Sequence, residues 1–121
     1  MGNESKADIK DRSYKFAVGI IVFIDKLSKD SSSQIIAKQL IRSATSVGAN
    51  IVEAQASPSK RDFTNFLNHA LKSANETKYW LALLKDSNKI DPQTISPLLQ
   101  EAKELANILA SSIITLRGKR F

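Results

Sequence analysis

Apolar residues recur along this chain at the three- and four-residue spacing of helix faces, in four blocks separated by short breaker clusters. The first block sets Phe16, Ile20, Phe23 and Leu27 on one line and Ala17, Ile21 and Ile24 on the next, predicting a helix over about residues 11–29. Lys26, Lys29 and the run DSSSQ end it, and the serines of that run offer an N-cap to a second helix over about 34–55. Within the first block, the run FAVGIIVFI is far shorter than the roughly 20 apolar residues of a membrane span. It is expected to be a helix buried on most of its circumference, and no membrane association is expected.

The link ASPS, with Ser57 and Ser59 as alternative caps and Pro58 suited to a first turn, joins the second helix to a third over about 60–85. Phe63, Phe66, Leu67, Ala70, Ala74, Thr77, Leu81 and Leu84 form its core side. The cluster DSNKIDPQ follows, with Asp91 as N-cap and Pro92 at the first position of a helix over about 92–117. Pro97 cannot donate a backbone hydrogen bond, so this helix either kinks or starts near Ser96. Leu98, Ala102, Leu105, Leu109, Ile113 and Leu116 give its apolar line. No segment alternates as a strand does. Four amphipathic helices with short links predict an all-α, up-down-up-down antiparallel four-helix bundle, one domain over 1–121.

The second helix carries two faces. Leu40, Ala44, Val47, Ile51 and Ala54 turn to a core, while Gln39, Arg42, Ser46, Asn50 and Glu53 make a second stripe of amides, hydroxyls and few charges. Small residues Ser43, Gly48 and Ala49 beside the stripe point to close contact with another helix. If the turn centres near Ser57 and Pro58, Arg42 falls near Ser73, Gln39 near Glu76, Asn50 near Asn65 and Phe66, and Glu53 near Arg61 and Asp62. A partly buried polar contact among Gln39, Arg42, Ser73 and Glu76 is therefore expected, within one subunit or across an interface. A structural network that fixes register is preferred to a ligand site.

Hydrophobic residues make up 42% and charged residues 25% of the chain, which is ordinary for a globular protein. The net charge of +6 raises the prospect of a polyanionic partner. The predicted topology gathers the start of the first helix, the second link and the end of the fourth helix at one end. Nine of the 18 basic residues collect there, Lys6, Lys10, Arg12, Lys15, Lys60, Arg61, Arg117, Lys119 and Arg120. Five acidic residues oppose them, Glu4, Asp8, Asp11, Glu53 and Asp62, so most of the net charge sits at that end. Arg12, Lys15, Lys60, Arg61, Arg117, Lys119 and Arg120 are the candidate phosphate contacts. Solvated helix ends are the bland alternative, and Lys119 and Arg120 also suit the negative pole of the last helix. Only Tyr14 and Phe121 could stack on bases at this end, so binding by shape and charge is expected rather than sequence readout.

The chain has no cysteine, which excludes disulfides, thiolate metal sites and thiol nucleophiles and fits a cytoplasmic location. The polar start MGNESKADIKDRSYK lacks the apolar core of a secretory signal. The single histidine, His69, is not part of a Glu-x-x-His pair, so a di-metal carboxylate bundle is not expected. Neither a nucleophile elbow nor a glycine-rich phosphate loop is present. No catalytic residue, metal or cofactor is expected.

The run QLIRSATSVGANIVEA, followed by Ser59, Phe63, Phe66 and Leu67 and then Ala70, Ser73 and Glu76, resembles a family of small bacterial four-helix-bundle proteins. That family was first noticed as reading frames inside intervening sequences of large-subunit ribosomal RNA genes. It is similar to the accessory variability determinant (Avd) of diversity-generating retroelements. Gln39, Leu40, Arg42, Ser46, Asn50, Ile51 and Glu53 match the family pattern Q-L-R-R-A-x-x-S-I-x-x-N-I-A-E-G by position. Ala54 departs from it where the pattern has Gly, and Lys72 replaces a small residue. The resemblance implies a cytoplasmic homo-oligomer, a pentamer of bundles arranged as a barrel, with no known catalytic activity. For the accessory proteins it also implies binding of nucleic acid and of a reverse transcriptase through a basic surface. Two readings follow: an oligomeric protein associated with RNA or DNA, or a scaffold that docks a partner protein, with the basic end incidental.

Overall fold

The computed structural model describes residues 2–118, with side chains from Ile9 onward. Four helices follow one another: α1 (Gly2–Ile24), α2 (Ser31–Gln55), α3 (Lys60–Asp86) and α4 (Pro92–Gly118). Each helix packs on its neighbours in the cycle α1–α2–α3–α4–α1, and among the described residues the backbones of the diagonal pairs stay apart. This is the all-α, up-down-up-down bundle that four amphipathic segments with short links demand. Phe16, Ile20, Leu40, Val47, Leu81, Leu84, Leu105 and Leu109 lie buried in its core.

The helix ends follow from local chemistry. α1 starts at Gly2, well before the expected start near Asp11, and ends at Ile24, earlier than the apolar line suggested. Lys26 N donates to Phe23 O and Leu27 N to Ile24 O, a tightened turn that tucks Leu27 into the core. The cap of α2 is Asp30, the residue before the serines expected in that role, and its carboxylate accepts from Ser33 N at 3.2 Å. Of the two candidate caps for α3, Ser59 is the one used, accepting from Asp62 N at 3.1 Å. α3 closes in a Schellman motif, with Lys89 N bonded to Leu84 O and Asn88 N to Lys85 O. Asn88 takes the left-handed conformation that this motif needs, at φ 58°. α4 starts at Pro92 and continues through Pro97. Gln93, whose carbonyl loses its helical donor at Pro97, is exposed, so water can satisfy it.

Three apolar assignments change. Phe63, Phe66, Leu98 and Leu116 are half-buried at the margins of the core. Ile95, Leu99 and Ala106 take fully buried places on α4. α1, expected to be buried on most of its circumference, has an open outer face: Val18, Ile21 and Val22 are 45, 46 and 53% exposed. A helix at the corner of a square bundle has only one inward face, and no other element covers the opposite one.

α1 and α2 approach closely where Gly48 meets Ser13. A Cβ at position 48 would lie 3.3 Å from Ser13 Oγ, and Ser13 is itself buried. A Gly48→Val substitution is expected to destabilise the fold by about 1–3 kcal/mol through overpacking. Gly48→Ala should be nearly neutral, since a helix-propensity gain of up to about 1 kcal/mol offsets the tight contact. Urea unfolding of both variants checks this.

Candidate nucleic-acid interface

The antiparallel topology brings the start of α1, the α2–α3 link and the end of α4 to one end of the bundle, as the helix order requires. Lys60 and Arg61 open α3, and Arg117 lies in the last turn of α4. All three are exposed and form no ion pair among the described residues. Lys119 and Arg120 lie outside the described residues.

Arg12 behaves differently. Its Nε donates to Glu101 Oε2 at 2.9 Å, and its Nη2 donates to Glu101 Oε1 at 2.6 Å and to Glu104 Oε1 at 2.8 Å. Its guanidinium is thus held across the bundle by two carboxylates of α4. The hydrogen bonds it donates to Glu101 and then Glu104 raise its pKa above the ordinary arginine value. A guanidinium already committed to two carboxylates is a poor phosphate contact, so Arg12 is better read as a tie between α1 and α4. Lys15 is exposed and pairs with Asp11 one turn earlier at 2.9 Å, a contact that solvent screens.

The second stripe of α2 lies against α3 and divides in two. Its inner part is a chain of hydrogen bonds. Ser73 Oγ donates to Ser46 Oγ at 2.9 Å, Asn50 Nδ2 donates to Ser46 Oγ at 3.0 Å, and Thr77 Oγ1 lies 2.9 Å from Ser43 Oγ. Thr77 also donates to Ser73 O at 2.8 Å. Its outer part, Gln39, Arg42 and Glu53 on α2 with Glu76 on α3, is exposed and makes no ion pair among the described residues. Of the contact expected among Gln39, Arg42, Ser73 and Glu76, Ser73 takes part through its bond to Ser46, while the other three stay exposed along the same groove.

The register set by these bonds is displaced by about one turn from one centred near Ser57 and Pro58, and α3 begins only after Ser59, its extended N-cap at φ −134° and ψ 157°. The first turn of α3 consequently projects past the end of α2, which leaves Lys60 and Arg61 open. Sequence reasoning did not single out His69 and Lys72 as groove residues. Their spacing to Phe66, Ser73 and Glu76 on α3 is the signal that would have placed them there.

At the opposite end, Asp30 joins the two other links. It accepts from Lys89 Nζ at 3.0 Å and from the hydroxyls of Ser28 and Ser32. These bonds, led by Ser28, hold its carboxyl well below the ordinary value of 3.8. Hydrogen bonds from Gln100 and then Arg12 likewise hold Glu104 below the ordinary 4.5. A depressed folded-state pKa gives stability that is complete above the unfolded value and is lost as pH falls through the folded one. The thermal midpoint is therefore expected to be flat above about pH 5 and to fall progressively below about pH 4, less so in Asp30→Asn. Melting curves from pH 7 to pH 2 measure it.

Among the described residues no group of three or more His, Cys, Asp or Glu side chains could hold a metal ion. No described helix is long and apolar enough to cross a membrane. Residues 5–111 match the family model described as 23S rRNA-intervening sequence protein. The chain belongs to that family. A solved member of the S23 ribosomal protein family from Bacteroides thetaiotaomicron VPI-5482, described as a protein with unknown function, shares 39% identity with it. The two superpose with a TM-score of 0.83, covering 90% of this chain and 97% of the other. Comparison with curated proteins gives no match. Membership in the intervening-sequence family agrees with the resemblance carried by α2 and α3, and the family's description names no catalytic activity. Ala54, where the family pattern has Gly, lies inside α2 and is buried, so this departure leaves the turn after Gln55 unaffected.

Proposed function

We propose that this chain is a non-catalytic, oligomeric, cytoplasmic protein that associates with structured RNA through the basic end of its bundle. The observation that carries the reading is the convergence of Lys60, Arg61 and Arg117 at one end, exposed and without carboxylate partners among the described residues. Cations so placed neutralise phosphates and release counterions, whereas Arg12, held by Glu101 and Glu104, contributes to the fold. The family's description supports RNA as the polyanion. Binding of a structured RNA, followed by fluorescence anisotropy from 50 to 300 mM salt, tests the reading. Affinity should fall steeply with salt, and no association with structured RNA or duplex DNA at low salt would sink it.

The oligomer is supported by α1. Tyr14, Val18, Ile21 and Val22 recur on its outer face at helical spacing, and Val52 of α2 is also exposed. A second copy is the partner we assign to this face, in a ring of five copies, the number that the family resemblance implies. Val18→Asp combined with Ile21→Asp places two charges on that face without touching the core. The double variant is expected to be a folded monomer by native mass measurement, while the unaltered chain is a pentamer. An unaltered chain that stays monomeric at high concentration removes this part of the proposal. Docking of a partner enzyme on the same face, with the basic end incidental, is the competing reading. Capture of one defined protein that survives nuclease and charge reversal at the basic end would favour it.

A further inference from the structure

The α2–α3 face holds a groove of about 550 Å³, on the side of the bundle and separate from the basic end. That volume is within the range of clefts that hold small ligands, about 300–1,000 Å³. Its floor is the hydroxyl and amide chain of Ser46, Asn50 and Ser73. Ser46 Oγ accepts from both neighbours, which leaves its own proton to donate outward, and Asn50 keeps its carbonyl oxygen as an acceptor. Phe66 and His69 stand together on one wall, ring centroids 6.4 Å apart and planes inclined at 59°. Arg42 and Lys72 rise from opposite helices at the rim, both exposed and without an ion pair among the described residues.

A stacking surface, donors and acceptors at fixed positions, and unsatisfied cations at the rim are the three requirements for holding an unpaired nucleotide. We propose that this groove binds a short unpaired stretch of RNA, a base resting against Phe66 and His69 and the adjoining phosphates lying along Lys72 and Arg42. The proposal rests on the RNA-associated reading above and adds the kind of RNA that the protein selects. Asn50, Ser46 and Arg42 lie at successive turns of α2, so the site extends about 12 Å, long enough for one or two nucleotides. Asn50 and Ser46 meet the edge of the base. Glu76, the one carboxylate of the rim, disfavours a phosphate beside it and accepts from an exocyclic amino group. A protein partner fits less well here, because the rim is polar and the exposed apolar residues gather on α1.

The test uses the full chain with a fluorescent eight-nucleotide single-stranded RNA and a blunt RNA duplex. Arg42→Gln with Lys72→Gln removes both rim cations, and Phe66→Leu removes the ring while keeping an apolar side chain. Each variant is expected to lose about tenfold or more in affinity for the single strand and less than twofold for the duplex, with oligomer mass unchanged and the thermal midpoint lowered only in Phe66→Leu, whose ring packs against the core. Lys60→Glu with Arg61→Glu should weaken both RNAs. Single-strand binding unaltered in both groove variants overturns the groove proposal and leaves the basic-end reading standing. If the unaltered chain binds no RNA of either kind, both fall. A drop in oligomer mass in the Arg42→Gln, Lys72→Gln variant assigns the groove to a second copy and overturns the proposal as well.

Discussion

Reversing Lys60, Arg61 and Arg117 together to Glu is expected to reduce affinity for structured RNA on the order of 100-fold or more at moderate salt. Each phosphate contact contributes roughly 0.9 to the slope of log affinity against log salt, so losing three should lower that slope by about 3. Reversal also places carboxylates where phosphates would come, which adds repulsion to the lost attraction. The fold should be indifferent, since none of the three side chains has an ion pair to lose among the described residues. Arg12→Gln makes the informative comparison. It should lower stability by breaking the bonds to Glu101 and Glu104 while leaving the salt slope unchanged. If the triple reversal binds RNA with the slope of the unaltered chain, the basic end is only a solvated surface.

Leu81→Ala should produce the largest loss of stability of any change discussed. Leu81 is completely buried on α3, in the same core as Leu40 and Leu105. Truncating a buried leucine removes its transfer free energy and leaves a cavity, about 2–5 kcal/mol together. Domains of this kind hold only about 5–15 kcal/mol in all. The melting midpoint should therefore fall by about 10 °C or more. Leu83, two residues along and 37% exposed, is the control; Leu83→Ala should cost well under half as much. Equal losses at the two positions would mean that α3 presents a different face to the core.

The helices and most of the core were legible because a 3.6-residue period survives in any sequence that must bury one stripe. Ile20, Leu40, Ala44, Val47, Leu81 and Leu105 all sit where their spacing puts them. The exposed face of α1 was not legible. A helix that is apolar nearly all round reads identically whether its outer side meets its own core or a second chain. Nor could the sequence separate Arg12 from Arg61. Both fall near the helix starts expected from the sequence, yet Arg12 lies midway along α1, beside carboxylates 89 and 92 residues away that only the closed bundle brings near. The α2–α3 register was read one turn short because the turn was centred near Ser57 and Pro58, whereas Ser59 is the cap that α3 uses. Within the groove, the hydroxyl network shows why serine and threonine recur on facing helices. Arg42 and Glu76 stand nearly level at the rim of the groove in this register, and both stay exposed there without an ion pair among the described residues.

The bonds from Arg12 to Glu101 and Glu104 bear on the order in which the protein takes shape. During synthesis α1 is the first helix made, yet its polar fastening waits for the last. The α2–α3 hairpin, closed by a four-residue link, can form while α4 is still missing. α1 then lies against α2 alone, with apolar surface open on two sides. A nascent chain halted before residue 101 would display that surface to chaperones and to other unfinished copies. Completion of α4 closes the inner side and leaves only the outer face, with Val18, Ile21 and Val22, exposed.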